Sequence, residues 1–164
     1  MQFAAASGAR VIATVSSPEK AHVARAAGAA HIIDRRREDV VDAVLALASE
    51  GVERIIEVDF GANAEIDAKL IAVNGVIASY SSTSRREPIL PYYPLQFRGA
   101  TLRFIQGHLL PDEARSRAIA DIGRMLSDGT LRPTIAATFH LEDIAKAHEF
   151  LESGSAIGNI VLRL

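Results

Sequence analysis

The sequence predicts an α/β fold, a parallel sheet with helices on both faces. Three observations point there. Four short apolar runs, Val11–Val15, His31–Asp34, Arg54–Phe60 and Gly75–Tyr80, are separated by stretches of helical spacing. Three of these runs lack the polar/apolar alternation of half-exposed strands, and continuous Val/Ile runs mean burial on both faces. The joints between runs are short, so strand and helix alternate with right-handed crossovers.

Each element has its own signals. Met1 to Gly8 reads as a helix end with a Gly stop, and the first strand follows at once. Ser16-Ser17-Pro18-Glu19-Lys20 comes next. Either Ser16 caps the following helix with Glu19 closing a capping box, or Ser17 caps it with Pro18 at the first helical position. That helix ends at Gly28. A second helix, from about Arg37 to Ser49, puts Val40, Val41, Val44, Leu45 and Ala48 on one face, and Gly51 ends it. A third, from about Ala62 to Val73, buries Ile66, Leu70 and Ile71 before Gly75. Ser81 to Arg86 is a polar loop. Pro88, Pro91 and Pro94 then punctuate an extended segment unfit for a central strand. Thr101–Ile105 alternates as a strand at the sheet edge. A helix from about Asp112 to Ser127 buries Ile119, Ile122, Met125 and Leu126. A short strand (Ile135–Phe139), a helix (Glu142–Ser153) and a last strand (Asn159–Leu164) complete the chain.

This order is Rossmann-like, but a dinucleotide-binding sheet of that type begins with a strand and a Gly-rich phosphate turn. Among the 11 glycines no two are separated by a single residue, so no G-x-G-x-x-G exists. The expectation is a Rossmann-like sheet lacking its first strand and Gly-rich turn, as in a fragment or mis-started frame of a longer enzyme. In the strand order 3-2-1-4-5-6 the missing strand is central. Two facing rows of backbone groups are then left unpaired. A partner chain, a register change or closure of the flanking strands must fill the place. Residues 1–128 read as the truncated dinucleotide-binding domain and residues 129–164 as a separate C-terminal segment.

Composition narrows the function. Hydrophobic residues make up 49%, enough for a packed core. Eighteen Lys/Arg against 20 Asp/Glu give a net charge of −2, which is no electrostatic footprint for nucleic acid or a membrane surface. With no Cys there is neither a disulfide framework nor a thiolate zinc site. No apolar stretch reaches bilayer length and no signal peptide precedes the first strand, so a cytoplasmic protein is expected. His22, His31, His108, His140 and His148 form no ligand spacing, and no metal site is expected.

Ligands of open parallel sheets sit beyond the C-terminal strand ends. The first strand ends Thr14-Val15-Ser16-Ser17, with no acid to hold the ribose hydroxyls of NAD. Ser16, Ser17, Lys20 and the Arg35-Arg36-Arg37 cluster suit a phosphate, helped by a helix N-terminus. The bland alternative makes the serines a cap and the arginines a solvated face. If a dinucleotide binds, NADPH is preferred over NADH. Asp59-Phe60-Gly61 ends the third strand: Gly61 permits close backbone approach, and Asp59 either meets a ligand or, more simply, caps the next helix. Ser81 and Ser82 offer hydroxyls to a cofactor amide or satisfy their own loop. No catalytic side chain is identified.

Five stretches resemble a known family: Ala9-Arg10-Val11-Ile12-Ala13-Thr14, Ala24-Arg25-Ala26-Ala27-Gly28-Ala29, Ile33 to Val40, Glu57-Val58-Asp59-Phe60-Gly61, and Ala147-His148-Glu149-Phe150-Leu151-Glu152-Ser153-Gly154 with Ile157 to Leu162 after it. The chain resembles the C-terminal half of medium-chain dehydrogenase/reductases, in the zinc-free quinone oxidoreductase (zeta-crystallin-like) branch. The resemblance implies a parent that reduces quinones or enones with NADPH by direct hydride transfer, and a C-terminal segment that returns to a catalytic domain. Lys20 matches the family lysine at the 2′-phosphate. Arg35 stands where relatives commonly carry Tyr, Asn159 replaces a frequent Lys, and Ser81 a frequent Gly. The resemblance also implies a homodimer paired through the edge strand Thr101–Ile105. The competing reading is a non-catalytic dimerisation or structural module derived from that domain.

Overall fold

In the computed structural model, which describes residues 1–164, helices and strands alternate throughout. The order is α1 (Gln2–Ala6), β1 (Ile12–Val15), α2 (Pro18–Ala26), β2 (His31–Asp34), α3 (Val40–Leu47), β3 (Val52–Glu57), α4 (Phe60–Leu70), β4 (Ile71–Ser79), α5 (Tyr92–Phe97), β5 (Thr101–Phe104), α6 (Asp112–Ser127), β6 (Ile135–His140), α7 (Ile144–Glu152) and β7 (Asn159–Arg163). No helix is long and apolar enough to cross a membrane.

All pairing is parallel, in three sheets ordered β1-β2, β3-β4-β5 and β6-β7. β1 and β3 are not hydrogen-bonded to each other. Of the ways to fill the central place, closure of β1 onto β3 does not occur. The two sheets are joined by side chains instead. Ile33 of β2, Val44 of α3 and Leu70 of α4 form a buried cluster, with Ile12, Val52, Ile55 and Ile66 against it. The Arg10 guanidinium adds a polar tie by donating to the Leu47 carbonyl at 3.1 Å.

α2 packs Ala24 onto Val15 and Ala29. The largest core lies under α4 and α5, where Phe60, Ala64, Ala68, Ile71, Ile77 and Leu95 meet. Fully burying an isoleucine such as Ile71 or Ile77 is worth about 2–3 kcal/mol. Gln2 and Arg132 tie α1 to the segment between α6 and β6: the Gln2 amide donates to the Arg132 carbonyl at 2.9 Å and accepts from its N–H at 2.7 Å.

Three expectations need correction. The proline-rich segment is not extended throughout, because Tyr92–Phe97 is helical. Pro94 falls within its first turn, where a missing N–H is tolerated. The third helix starts at Phe60 and stops at Leu70, and β4 begins at once with Ile71, pairing with Val52. Asn74 at φ 60 then makes an irregularity inside β4. Finally, α6 buries only Met125. Ile119, Ile122 and Leu126 are 64%, 40% and 46% exposed. No strand packs closely beneath α6, so its apolar stripe faces solvent. On β3, Ile56 is likewise 70% exposed, on the face away from α4.

Gly51 makes the turn into β3 with φ +87, and a Cβ there would lie 2.4 Å from the Leu70 carbonyl oxygen. Gly51→Ala is expected to lower stability by about 2 kcal/mol, from left-handed strain and this clash. Urea unfolding measures it; an unchanged midpoint would contradict the geometry.

Candidate functional site: the strand tips

Two neighbouring strand tips carry the candidate residues. At the first, Val15 pairs with Asp34, and the Arg35 N–H donates to the Val15 carbonyl at 3.0 Å. Ser16 and Arg35 therefore leave the sheet side by side. Ser17 Oγ accepts the Lys20 N–H at 3.3 Å and Pro18 opens the helix, so the Ser17 cap is the one formed. Ser16 is buried and its Oγ accepts from Lys20 Nζ at 3.4 Å. Glu19, in the same first turn, is held below the usual carboxylate range by its hydrogen bond with Ser17.

The nearest acid on the sheet is occupied. Asp34 accepts from the Arg36 N–H at 3.0 Å and pairs with the Arg37 guanidinium at 3.5 Å. This tip thus holds two small hydroxyls, a lysine, an exposed arginine and the start of a nine-residue helix, with the Glu19 carboxylate turned to Ser17. That set favours an anion.

The second tip joins the ends of β3 and β4. Asp59 stands at the N-cap position of α4 but makes no side-chain cap bond. Its Oδ1 instead accepts from the Ser84 N–H at 3.0 Å and the Ser84 hydroxyl at 2.9 Å. The simpler expectation for Asp59 is thus corrected: the carboxylate ties two loops rather than capping its helix. Ser82 Oγ accepts the Gly61 N–H at 3.0 Å and donates to the Arg85 carbonyl. Ser81 shares a 2.9 Å hydrogen bond with Thr83. These hydroxyls satisfy their own loop, the second of the two readings of the segment. A Cβ on Gly61 would lie 2.6 Å from the Arg85 Cβ and 2.7 Å from Ser82 Oγ, so only glycine lets the loops close.

Behind this tip lies a group that sequence reasoning missed. Glu57 and Asp67 are 5% and 4% exposed. Asn63 Nδ2 donates to both Glu57 carboxylate oxygens, at 3.1 and 3.2 Å, and the Asp59 N–H donates to Oε1. Burial, then the Glu57 charge and a hydrogen bond to Glu57, raise the Asp67 carboxyl to about 7. The available signal was an acid inside the apolar run Ile55-Ile56-Glu57-Val58, with Asn63 and Asp67 one helical turn apart.

A zinc ion does not fit the chain. No three His, Cys, Asp or Glu side chains converge, and cysteine is absent. Two clefts lie away from the strand tips. One of about 290 Å³ lies between α1 and α6 around Phe3, Arg124 and Met125. The other, of about 270 Å³, is lined by Leu90, Tyr92, Leu95, Gln96, Ala100 and Leu102 beside β5.

Comparison with known proteins accords with this architecture. The family model described as zinc-binding dehydrogenase matches residues 27–162. A quinone oxidoreductase of Salmonella typhimurium is 28% identical over 98% of this chain and 51% of its own length. A 2-haloacrylate reductase of a Burkholderia species is 31% identical over 94% of this chain and 48% of its own length. Among solved structures, the quinone oxidoreductase of Pseudomonas syringae superposes with a TM-score of 0.81 at 29% identity, covering 99% of this chain and 51% of that one. The Escherichia coli quinone oxidoreductase complexed with NADPH superposes at 0.85 over 99% of this chain and 52% of that one; its 24% identity speaks for the fold alone. The chain spans about half the length of the curated relatives it matches. With parallel β-α units, paired strand tips and a family match over most of its residues, the chain belongs to the zinc-binding dehydrogenase family.

Proposed function

We propose that these residues form the cofactor-binding half of an NADPH-dependent oxidoreductase that reduces quinones or enones without zinc. The observation that supports it most is the tip of β1, where Ser16, Ser17 and Lys20 surround a helix N-terminus, Glu19 is held by Ser17, and the acid on the sheet, Asp34, is engaged with Arg36 and Arg37. In this reading Lys20 and Arg35 meet the 2′-phosphate and Ser16 and Ser17 its oxygens, while Asp59, Ser81 and Ser82 shape the second tip against the rest of the coenzyme. The coenzyme supplies a hydride when bound; the protein's part is orientation and charge. Residues 129–164, which include β6, α7 and β7, belong to the segment that returns to a catalytic domain.

The second reading, a non-catalytic dimerisation or structural module, draws on two observations. β1 and β3 are not hydrogen-bonded to each other, and these residues carry no Gly-rich turn. Titrating the chain with NADPH and NADH separates the two. The cofactor reading expects NADPH to bind more tightly, and Lys20→Ala to weaken NADPH about tenfold with little effect on NADH. Binding of neither nucleotide leaves the module reading.

In either reading we infer a homodimer through β5. β5 pairs only with β4, and its outer edge is unpaired. Phe97, Phe104 and Leu109 around it are 79%, 73% and 80% exposed. An open parallel edge beside apolar side chains is suited to a second copy. Phe104→Asp is expected to weaken association at least about tenfold by sedimentation equilibrium. A wild-type chain that stays monomeric at high concentration would refute the dimer.

A further inference from the structure

Two acids stand together in the interior behind the second strand tip, and no cation answers them. Neither Glu57 nor Asp67 enters any ion pair of the chain. Two bare carboxylates side by side out of water are strongly disfavoured, and one proton between them relieves the repulsion. Asp67 Oδ2 is buried without a donor, which suits a neutral acid better than a carboxylate.

The pair is linked to the surface. Glu57 accepts from the Asp59 N–H, and the Asp59 carboxylate holds Ser84 by its N–H and its hydroxyl. A hydrogen-bonded series thus runs from Glu57 through Asp59 to the loop after β4, with the Asp67 carboxyl in α4 buried within reach of the Glu57 charge. The Phe60 N–H donates to the Ser81 carbonyl at 3.1 Å and the Gly61 N–H to Ser82 Oγ, which fastens the same two loops a second time. Of the elements packed around Asp67, β3 brings Glu57 and the exposed Glu53 and Arg54. α4 itself brings Asn63 and the exposed Glu65 and Lys69, and α3 brings the exposed Asp42. β4 carries no charged side chain, and α5 carries only the tyrosines Tyr92 and Tyr93.

We propose that Glu57 and Asp67 are positioning residues: the proton they share locks the β3–α4 joint against the Ser81–Arg85 loop, and its loss frees that loop. The lock stands on the chain's own geometry; its use, to hold a coenzyme at the strand tips, rests on the NADPH reading.

The direction with pH follows from linkage. Asp67 gives up its proton near 3.8 in the unfolded chain and near 7 in the folded one. Opening therefore releases a proton between those limits. It becomes more favourable as pH rises, by up to about tenfold per unit, and levels off above 7.

The test compares wild type with Asp67→Asn, whose amide can still donate to Glu57 but cannot ionise. Amide exchange, corrected for its intrinsic pH dependence, is followed at Asp59, Gly61 and Ser84 from pH 5 to 8, with Ile71 and Ile77 as core references. Wild type is expected to lose protection at the three loop amides by about tenfold or more across this range, while the core amides, which exchange only through global unfolding, lose no more than that. Asp67→Asn is expected to stay flat. Equal profiles in the two proteins, or a loss confined to the core amides, would overturn the lock.

If Asp67→Asn fails to fold, Glu57→Gln serves instead: with the opposing charge gone, the wild-type transition should move to lower pH, and an unmoved transition overturns the proposal. NADPH titration at pH 6 and pH 8 reads the use of the lock. Wild type is expected to bind about tenfold more weakly at pH 8 than at pH 6, beyond any change in Asp67→Asn. Equal pH dependence in the two overturns the positioning role. Loop amides that respond as stated in a chain that binds no NADPH at either pH would sink the cofactor reading and leave the lock intact.

Discussion

The structure depends on a small aliphatic contact doing what backbone pairing does elsewhere. β1-β2 and β3-β4-β5 are not hydrogen-bonded to one another, and the buried cluster of Ile33, Val44 and Leu70 holds them in one body. Parallel strands ordinarily gain stability from neighbours on both edges and helices on both faces. Here β1 and β3 each have one paired edge, so the helices α3 and α4 carry the alignment. Side-chain packing is less directional than a hydrogen-bonded ladder, and this contact is where the architecture is most sensitive to the loss of a methyl group.

That alignment decides what stands at the strand tips. Because β1 and β2 run parallel in register, Ser16 and Arg35 emerge together, and the cap at Ser17 turns the α2 N–H groups toward the same place. Because β3 and β4 also run parallel, Asp59 meets Ser84 across 25 residues and Gly61 meets Ser82 across 21. The first tip gathers small hydroxyls and two cations around a helix start. The second spends its polar groups on itself and on the buried acids behind it.

Much of this was legible in the residues. Continuous Val/Ile runs announced buried parallel strands, and Gly28 and Gly51 marked helix ends that hold in three dimensions. The α6 stripe was read correctly as amphipathic but incorrectly as buried. Periodicity reports which face is apolar and not whether anything lies against it. Asp59 was misread for a related reason. A cap and a cross-loop tie use the same carboxylate at the same local position, and only the distant Ser84 distinguishes them. Glu57 and Asp67 escaped notice because an acid in an apolar run gives no hint of its partner until the strand and helix are docked.

The sequence by itself determined the alternation of elements, the absence of a thiolate metal site, and the small hydroxyls and basic groups that close the first strand. These are local matters of residue type and spacing. The tertiary structure alone decided that β1 and β3 stand unpaired, that the loops after β3 and β4 are fastened together, and that two carboxyl groups share the interior. The reason is physical: edge pairing, burial and the neutralisation of one charge by another depend on groups far apart in the chain, and their cost or benefit exists only once folding has brought them within contact.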